Sequence, residues 1–544
     1  MKRALFLVGS AAAVLCGCVE RGTKSASTAP PFHLHWVGAA KLTNSSTPTN
    51  LQHALALPAT TALRDEVFGK LARTPQELWK KSLPANAADA SPLLRPLLDD
   101  LWNNESFVEL RGDATRPDLV VGVQVDDERA ALWSTNLWQT ANNWKLGPPG
   151  ANANSKEWSA GKREALHYAR SGKWVLAAFT HTGRNPLEAM LKTDRPVPAL
   201  DPAMVDFKAD CPRLKDVFSF LGNYPLPPIE LKVTPKGQSL RTEAKLKYSD
   251  RLPIKLERWQ IPTNLISEPL ISFTCGQGIA PLWNQIRGFS ALRLKSPPNQ
   301  FTMWGLGTVH VQTFFTVPMP HATNVARDLA LRLPEFVKTY FPDPPGTFVW
   351  ISNRAEWVWS GLLMVSPHVH PERTPAGEFL YAGLFPVGPH TNPPPAELFA
   401  QVTSRNNLVY YDWELSQERL PHARYTFQLL DIVNGRQIRP HTSASQQWLT
   451  NLPPCLGNTI TEVTLSSPNE LSFTRKSDLG FTGFELAWLA RWFDSPGFPM
   501  RYEPPPPRTV STNRPAFSGT NRALSPATNR PPAVRTNSGS PPKQ

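Results

Sequence analysis

The chain is 544 residues long, with 41% apolar and 19% charged residues. That length is too great for one hydrophobic core, so we expect two large domains of globular composition. The net charge is +13, but Lys2 and Arg3 lie at the N-terminus, and residues 503–544 hold five arginines and one lysine against one acid. The excess of positive charge that remains between these two ends of the chain is too dilute for a nucleic-acid-binding face. Nucleic acid is therefore excluded as the main partner.

Proline and tryptophan are both abundant. The 57 prolines are about twice the usual ~5% share, and they are spread along the whole chain, which predicts many long ordered loops. The 18 tryptophans are interpreted as core residues that fill space beside sheets. The alternative is an aromatic platform for sugars.

The N-terminus has the parts of an export signal. After Lys2 and Arg3, the segment 4–15 contains a single polar residue, Ser10. It is too short to span a bilayer core, which needs about 20 residues, so residues 1–17 are predicted to be a removable signal peptide. The segment ends in Leu15-Cys16-Gly17-Cys18. This order of an aliphatic, a variable and a small residue before cysteine resembles the lipobox of bacterial lipoproteins.

The resemblance covers the first 18 residues and implies cleavage after Gly17, diacylglycerol on the sulfur of Cys18 and acylation of the new amino terminus. Two or more acyl chains anchor a protein stably to a lipid bilayer. Val19 follows the cysteine where inner-membrane lipoproteins have aspartate, which resembles the sorting pattern of outer-membrane lipoproteins in Gram-negative bacteria. The alternative is an ordinary secretory signal cut near Ala13. The rest of the chain resembles uncharacterised envelope lipoproteins, and no functional residue is carried over from them.

Residues 18–31 are predicted to be a tether, and residues 32–262 an N-terminal domain. The segment from Phe32 to Val37 alternates apolar residues with His33 and His35, which indicates a strand. The clearest local signal is a hairpin from Ile229 to Tyr248, with one apolar and one charged face. Further helices and strands are predicted at 62–72, 75–82, 92–102, 106–110, 118–125, 127–140 and 173–179.

Residues 263–502 are predicted to be a C-terminal domain built in the same style, with the boundary near Pro262. Thr482-Gly483-Phe484-Glu485 resembles a capping box that opens a buried helix to Phe493. Strands that alternate in polarity and join by tight turns favour an α+β fold with mostly antiparallel sheets. The other strands are predicted at 270–274, 301–304, 309–317, 347–351, 356–364, 379–385, 408–413, 459–465 and 470–474, and a helix interrupted at Pro334 at 324–340.

Two His-x-His pairs are candidates for a metal site. His33 and His35 lie on one face of a predicted strand, and His368 and His370 lie in a proline-rich loop with Glu372 beside them. Each pair supplies two ligands, and a third would have to come from elsewhere in the fold. Since histidines at such positions are usually solvated, no metal site is predicted.

The cysteines left after processing are Cys211, Cys275 and Cys455, so at most one internal disulfide is expected. Their wide separation gives no zinc-ligand spacing.

Asp412 and Glu414 are the candidates for catalysis, because glycoside hydrolysis needs two carboxylates and aromatic residues flank these two. Strand alternation places both carboxylates on one face, which is also how an ordinary exposed strand looks. No Gly-x-Ser-x-Gly elbow and no glycine-rich phosphate loop is present, so no cofactor is predicted.

The segment from Glu503 to Gln544 is predicted to be a disordered basic tail. It holds ten prolines and a single aromatic residue, Phe517. Too little apolar surface is available to offset the ordering entropy. Thr-Asn-Arg recurs every eight residues from Thr512. The repeat is either replication slippage or a cationic arm that contacts an anionic envelope polymer.

Together these patterns predict a membrane-anchored cell-envelope lipoprotein with a non-enzymatic binding or structural role, lipid-anchored at the outer membrane. An envelope carbohydrate-active hydrolase and a metal-binding envelope protein are the alternatives.

Overall fold

Antiparallel strands dominate the architecture. The computed structural model describes residues 29–507, except 44–47, 81–82, 114–115, 147–155, 163, 182–183, 193–195, 215–225, 284–291, 341–343, 345, 363–364 and 386–391. Within these residues the chain forms nineteen strands and twelve α-helices, and every strand pairing is antiparallel. The predicted mixture of helices with mostly antiparallel sheet is therefore confirmed.

The first half of the chain, up to the predicted hairpin, contains nine of the described strands and five helices. The strands are β1 (Phe32–Trp36), β2 (Ser106–Asp113), β3 (Arg116–Gln124), β4 (Glu157–Ala160), β5 (Ala165–Ser171), β6 (Trp174–Thr180), β7 (Val205–Asp210), β8 (Pro228–Lys236) and β9 (Ser239–Lys247). The helices are α1 (Thr49–Ala56), α2 (Pro58–Trp79), α3 (Ser91–Asn103), α4 (Asp127–Asn143) and α5 (Cys211–Leu214).

The second half contains the other ten strands and seven helices of the described residues. The strands are β10 (Leu270–Gln277), β11 (Gln300–Leu306), β12 (Thr313–Pro318), β13 (Thr347–Ile351), β14 (Glu356–Ser360), β15 (His368–Thr374), β16 (Gly377–Gly383), β17 (Leu408–Leu415), β18 (Asn458–Ser467) and β19 (Glu470–Ser477). The helices are α6 (Ala280–Trp283), α7 (Ala322–Ala330), α8 (Leu333–Tyr340), α9 (Ala396–Thr403), α10 (Ser416–Val433), α11 (Ala444–Asn451) and α12 (Gly483–Phe493).

The nineteen strands form one open sheet. Following the pairings from one edge to the other gives the order β4-β5-β6-β3-β2-β1-β7-β8-β9-β19-β18-β17-β10-β11-β12-β16-β15-β14-β13. Strands from the two halves of the chain do not mix in this order. All strands of the first half lie on one side of the β9–β19 ladder, and all strands of the second half lie on the other.

The two halves repeat one topology. In the first half, β1, β2 and β3 are neighbours in the sheet, although α1 to α3 lie between β1 and β2 in the chain. Helix α4 follows, and the meander β4 to β6 returns so that β6 pairs with β3. In the second half, β10 to β12 form the meander, α7 and α8 follow, and β16 returns to pair with β12. The next strand of each half then pairs with the first strand of that half: β7 pairs with β1, and β17 pairs with β10. Each of these strands is followed by a hairpin that extends the sheet, β8–β9 or β18–β19. Among the described residues, the second half has an additional strand, β13, at its outer edge. The first half has three helices, α1 to α3, between its first two strands.

The last strands of the two repeats join the halves. β9 and β19 pair antiparallel, with a register that runs from Leu240 opposite Ser477 to Lys247 opposite Glu470. These two strands occupy equivalent places in their repeats, and such a contact between equivalent strands is the arrangement of an isologous, two-fold interface. The described residues up to Pro506 form one compact unit.

Helices and loops cover both faces of the sheet. In the first half, α3 and α4 pack on β3, β5 and β6, and the segment around Leu187 covers the opposite face. In the second half, α7 and α8 pack with Trp357 and Trp359, while α9 and the segment around Ile266 cover the opposite face. Helices α10 to α12 form a further cluster against β10, β17 and β18.

Local signals in the sequence give several elements correctly. The hairpin β8–β9 forms with its turn between Lys236 and Ser239. The capping box of α12 is present: the Glu485 N–H donates to the Thr482 hydroxyl, and the Thr482 N–H donates to the Glu485 carboxylate. The helix predicted at 324–340 is broken, but before Pro334, which lies in the first turn of α8 where a missing N–H costs nothing.

Two predictions about loops and tails are wrong in detail. The predicted proline loop around His368 and His370 is strand β15, which pairs with β16 along its whole length. The predicted tail starts later than Glu503, because the Glu503 N–H donates to the Ser495 hydroxyl at 2.7 Å and the carbonyl of Pro506 accepts from Gln437 at 3.0 Å. The rest of the predicted tail, 508–544, lies outside the described residues.

Candidate functional site

Asp412 and Glu414 lie in the middle of the sheet. They alternate with Trp413 on β17, so both carboxylates point to the same face, as predicted. Their cross-strand neighbours on β10 and β18 point the same way. These neighbours all carry hydroxyl groups and form a polar layer with the two acids: Ser272, Thr274, Thr459 and Thr461.

The interpretation of this strand face as exposed is wrong. Asp412 is 5% exposed and Glu414 is 3% exposed, because the N-terminal ends of α10 and α12 cover them. The Ser416 hydroxyl and the Gly483 N–H each donate to Glu414 Oε1 at 2.6 Å. A side chain at Gly483 would place its Cβ 2.7 Å from the backbone nitrogen of Leu420, so only glycine permits this close approach of α12 to α10.

Asp412 has a similar set of partners. The Thr274 hydroxyl donates to Asp412 Oδ1 at 2.6 Å. Arg475 on β19 donates to the Thr461 hydroxyl and forms a two-bond ion pair with Glu485, at 2.7 and 3.0 Å. The capping residue of α12 therefore also holds a buried arginine. Sequence reasoning missed Arg475, although the capping box already identified its partner.

The burial of these acids changes their protonation. Burial raises the pKa of Glu414 to about 7, the nearby charge of Asp412 adds to the shift, and the hydrogen bonds from Ser416 and Gly483 oppose it. Burial also raises the pKa of Asp412, against the hydrogen bond from Thr274 and the charge of Arg419. Burial therefore favours the protonated form of both carboxyls.

This arrangement does not have the geometry of a glycosidase. Such enzymes place two carboxylates on opposite sides of a substrate bond, with space for a sugar between them. Here the carboxylates are neighbours on one strand and their oxygens are engaged by Thr274, Ser416 and Gly483 beneath two helices. The pair can hold a proton and fix the positions of α10 and α12.

His33 and His35 share a face of β1, as predicted, but they are not solvated. His33 Nδ1 lies 2.8 Å from a carboxylate oxygen of Glu109, and His35 Nε2 lies 3.1 Å from one of Glu105. Lys41 also donates to Glu105, at 2.9 Å. Each imidazole is directed to a different carboxylate, that of Glu109 on β2 or that of Glu105 just before it, and the two ring centroids are 6.2 Å apart. The contacts are those of two separate histidine–carboxylate hydrogen bonds and not of a shared metal site.

His368 and His370 form an aromatic stack on β15. Their ring centroids are 5.3 Å apart, and the ring of Tyr381 contacts both. His370 Nε2 lies 3.0 Å from Glu372, and His368 Nδ1 lies 3.3 Å from the Ser366 carbonyl oxygen. Burial lowers the pKa of His368, which favours the uncharged form of that imidazole. In the part of the chain that the structure describes, no cluster of three or more metal-ligating side chains is found.

Cys211, Cys275 and Cys455 are all buried and free. Burial raises the pKa of the Cys211 thiol to about 11 and that of Cys275 well above its ordinary value. Buried thiols of this kind are inert packing groups.

Cys18 and the signal peptide lie outside the described residues. Among the helices that are described, none is both long and apolar enough to cross a membrane. Comparison with known proteins identifies no matching family model, no matching curated protein and no matching solved structure.

The raised pKa of Glu414 predicts how stability depends on pH. Between its ordinary value of 4.5 and about 7, Glu414 is protonated in the folded chain and ionised in the unfolded chain. The unfolded state then binds fewer protons, so the free energy of unfolding falls as pH rises through this window. This difference between the folded and unfolded pKa of Glu414 corresponds to about 3 kcal/mol of unfolding free energy.

Glu414→Gln keeps an oxygen that accepts from Ser416 and Gly483 but removes the titration. We expect the stability of this variant relative to the native chain to increase by about 3 kcal/mol between pH 4.5 and 7.5. Urea unfolding at both pH values measures it, with Glu418→Gln on the exposed side of α10 as the matched control. An unchanged pH dependence in Glu414→Gln would contradict the assignment.

Proposed function

We propose that this chain is a membrane-anchored cell-envelope lipoprotein with a binding or structural role, and not an enzyme. The signal and the Leu15–Cys18 box support the anchor. One structural observation supports the non-enzymatic role: the carboxylate pair that suggests hydrolysis is buried in the interface between the sheet and two helices. With Val19 after the acylated cysteine, we assign it to the outer membrane of a Gram-negative bacterium, with its body in the periplasm.

We also propose that the body consists of two domains, at residues 32–262 and 263–502. The repeated strand order supports this division, since each half contains its own meanders and its own covering helices. The segment between β9 and β10 contains no strand or α-helix, and its one short turn of 3₁₀ helix is at Thr263–Leu265. The proposed boundary near Pro262 therefore lies in the connection between the repeats.

The basic tail is proposed to contact an anionic polymer of the envelope. Its cationic Thr-Asn-Arg repeats are evenly spaced, and no acidic residue follows Glu503 in the sequence. Contact between exposed charges is screened by salt, because the Debye length falls from ~10 Å at 0.1 M to ~3 Å at 1 M.

The anchor is tested with Cys18→Ala, which removes the sulfur that would carry diacylglycerol. We expect the variant to incorporate no fatty-acid analogue and to remain an unprocessed or misprocessed precursor. Metabolic labelling followed by gel analysis measures both effects, with Cys16→Ala as the control that leaves the acceptor intact. Equal labelling of Cys18→Ala and the native chain would refute the lipoprotein assignment.

The non-enzymatic role is tested by incubating the purified protein with peptidoglycan and common envelope polysaccharides. We expect no release of soluble fragments, because the carboxylates have no access to a glycan. Chromatography of the supernatant detects any release. Fragments that disappear with Asp412→Asn or Glu414→Gln would establish the hydrolase alternative instead.

The tail is tested by comparing the unlipidated chain with a version that ends at Tyr502 in co-sedimentation with isolated cell wall. We expect the complete chain to sediment more at 0.1 M salt than at 1 M, since the contact is electrostatic. The shortened chain should show little binding at either salt concentration. If both proteins bind equally and without regard to salt, the tail has no part in the contact.

A further inference from the structure

A serine and a histidine lie side by side at the outer edge of the sheet, in the first half of the chain. Ser159 on β4 is directly opposite His167 on β5. The hydroxyl oxygen of Ser159 is 2.7 Å from His167 Nδ1. Ser159 is exposed, whereas His167 is only 3% exposed. We call these two residues the serine–histidine pair.

The register of the two strands brings this pair together. The Arg170 N–H donates to the Lys156 carbonyl at 2.8 Å, so these two residues form a hydrogen-bonded pair at the start of the β4–β5 ladder. Because such pairs alternate with non-hydrogen-bonded pairs, Ser159 and His167 form a non-hydrogen-bonded pair, in which side chains approach most closely. The backbone N–H of Ser159 therefore points away from β5, to the edge where no described strand pairs with β4.

The hydrogen bonds around His167 determine which of its nitrogens accepts. His167 Nε2 is 3.2 Å from the Thr180 hydroxyl oxygen, and that hydroxyl donates to the Ala165 carbonyl at 3.5 Å. Since a hydroxyl has one hydrogen, Nε2 carries the imidazole proton and donates to Thr180. Nδ1 is then the acceptor, and Ser159 donates to it. Burial lowers the pKa of His167 to about 4, so the neutral imidazole that this arrangement needs is present at neutral pH.

A serine hydroxyl that donates to a neutral imidazole is the arrangement that activates serine as a nucleophile. Ser159 is also accessible, because its side chain is exposed at the edge of the sheet. The imidazole is oriented by Thr180 instead of a carboxylate, and burial disfavours its charged form. His167 is therefore a weak base, so the serine requires an acyl donor with a good leaving group.

We propose that Ser159 is a nucleophile that takes up one acyl group from a neutral, activated acyl donor such as an aryl ester. The hydroxyl oxygen forms a bond to the carbonyl carbon, and the bond from that carbon to the phenolic oxygen breaks. The hydroxyl proton passes to His167 Nδ1 and then to the leaving phenolic oxygen, so the imidazole is neutral again at the end. The outward-pointing N–H of Ser159 can donate to the carbonyl oxygen as negative charge develops on it.

The surroundings of the pair limit which donors react. Glu157 lies two residues before Ser159 on the same face of β4, and its exposed carboxylate disfavours anionic donors. The product is an ester on Ser159, so each chain reacts once. This stoichiometric acylation does not depend on the membrane anchor, and it goes beyond the binding or structural role proposed above.

The test is acetylation of the purified chain by p-nitrophenyl acetate at neutral pH, followed by peptide mapping with mass spectrometry. We expect an acetyl ester on Ser159 that forms about tenfold faster, or more, than any ester on Ser249. Ser249 is the control within the same chain, because its hydroxyl is exposed but donates to Asp250 instead of an imidazole. Equal rates at the two serines, or no acetyl group on Ser159, would overturn the proposal.

His167→Gln tests whether the imidazole takes up the proton. The amide oxygen of glutamine can still accept from the Ser159 hydroxyl, but it cannot remove its proton. We expect acetylation of Ser159 to slow about tenfold or more, while acetylation of the exposed Lys245 and Lys247 on β9 proceeds as in the native chain. An unchanged rate at Ser159 would mean that the imidazole only packs against the serine, and the proposal would be wrong. Circular dichroism checks the fold of the variant, and if it is unfolded, the comparison with Ser249 in the native chain decides.

Discussion

The ladder between β9 and β19 makes one sheet out of two. Among the described strands it is the pairing that links the first half of the chain to the second. Leu246 on β9 and Leu471 on β19 are directly opposite each other, at 4% and 0% exposure, and belong to the core that also contains α7 and α8. Without this ladder each half would present an unpaired strand, which is a site for uncontrolled pairing with other chains. The two repeats protect each other's edge, and β4 and β13 remain as the outer edges of the sheet.

A second constraint comes from the acids and arginines buried beside this ladder. Buried ion pairs seldom add stability over apolar side chains of the same size, because desolvation offsets much of the attraction. Their partners here are specific: Glu414 binds the start of α12 at Gly483, and Arg475 binds Glu485 two residues later. An apolar interface would allow α12 to slide along the sheet. The hydrogen bonds fix one position, so we interpret the polar layer as a determinant of helix placement.

The extent to which the fold could be predicted follows from how local each signal is. The β8–β9 hairpin and the α12 capping box depend on neighbours in sequence, and both were predicted correctly. Helix α10 was missed because Pro421 lies inside it, beyond the first turn, where proline usually interrupts a helix. Strand β15 was missed because Pro371 suggests a loop, and the proline is accommodated within the β15–β16 pairing.

The features that decide function are not local. Asp412 and Glu414 look like exposed residues of an alternating strand, and only the return of α10 and α12 over β17 buries them. The pairings of β6 with β3, of β16 with β12 and of β9 with β19 join strands far apart in the chain. No periodicity within either strand specifies its partner, so neither the repeated topology nor the polar layer could be derived from the sequence.

The repeat also shows where the two halves differ. In the first half the connection between the seventh and eighth strands runs from Cys211 to Pro227, whereas the equivalent connection in the second half runs from Ser416 to Gly457. This longer connection forms α10 and α11, and together with α12 it covers Asp412 and Glu414. The first half has its own long connection at a different place, because residues 37–105 between β1 and β2 contain α1, α2 and α3.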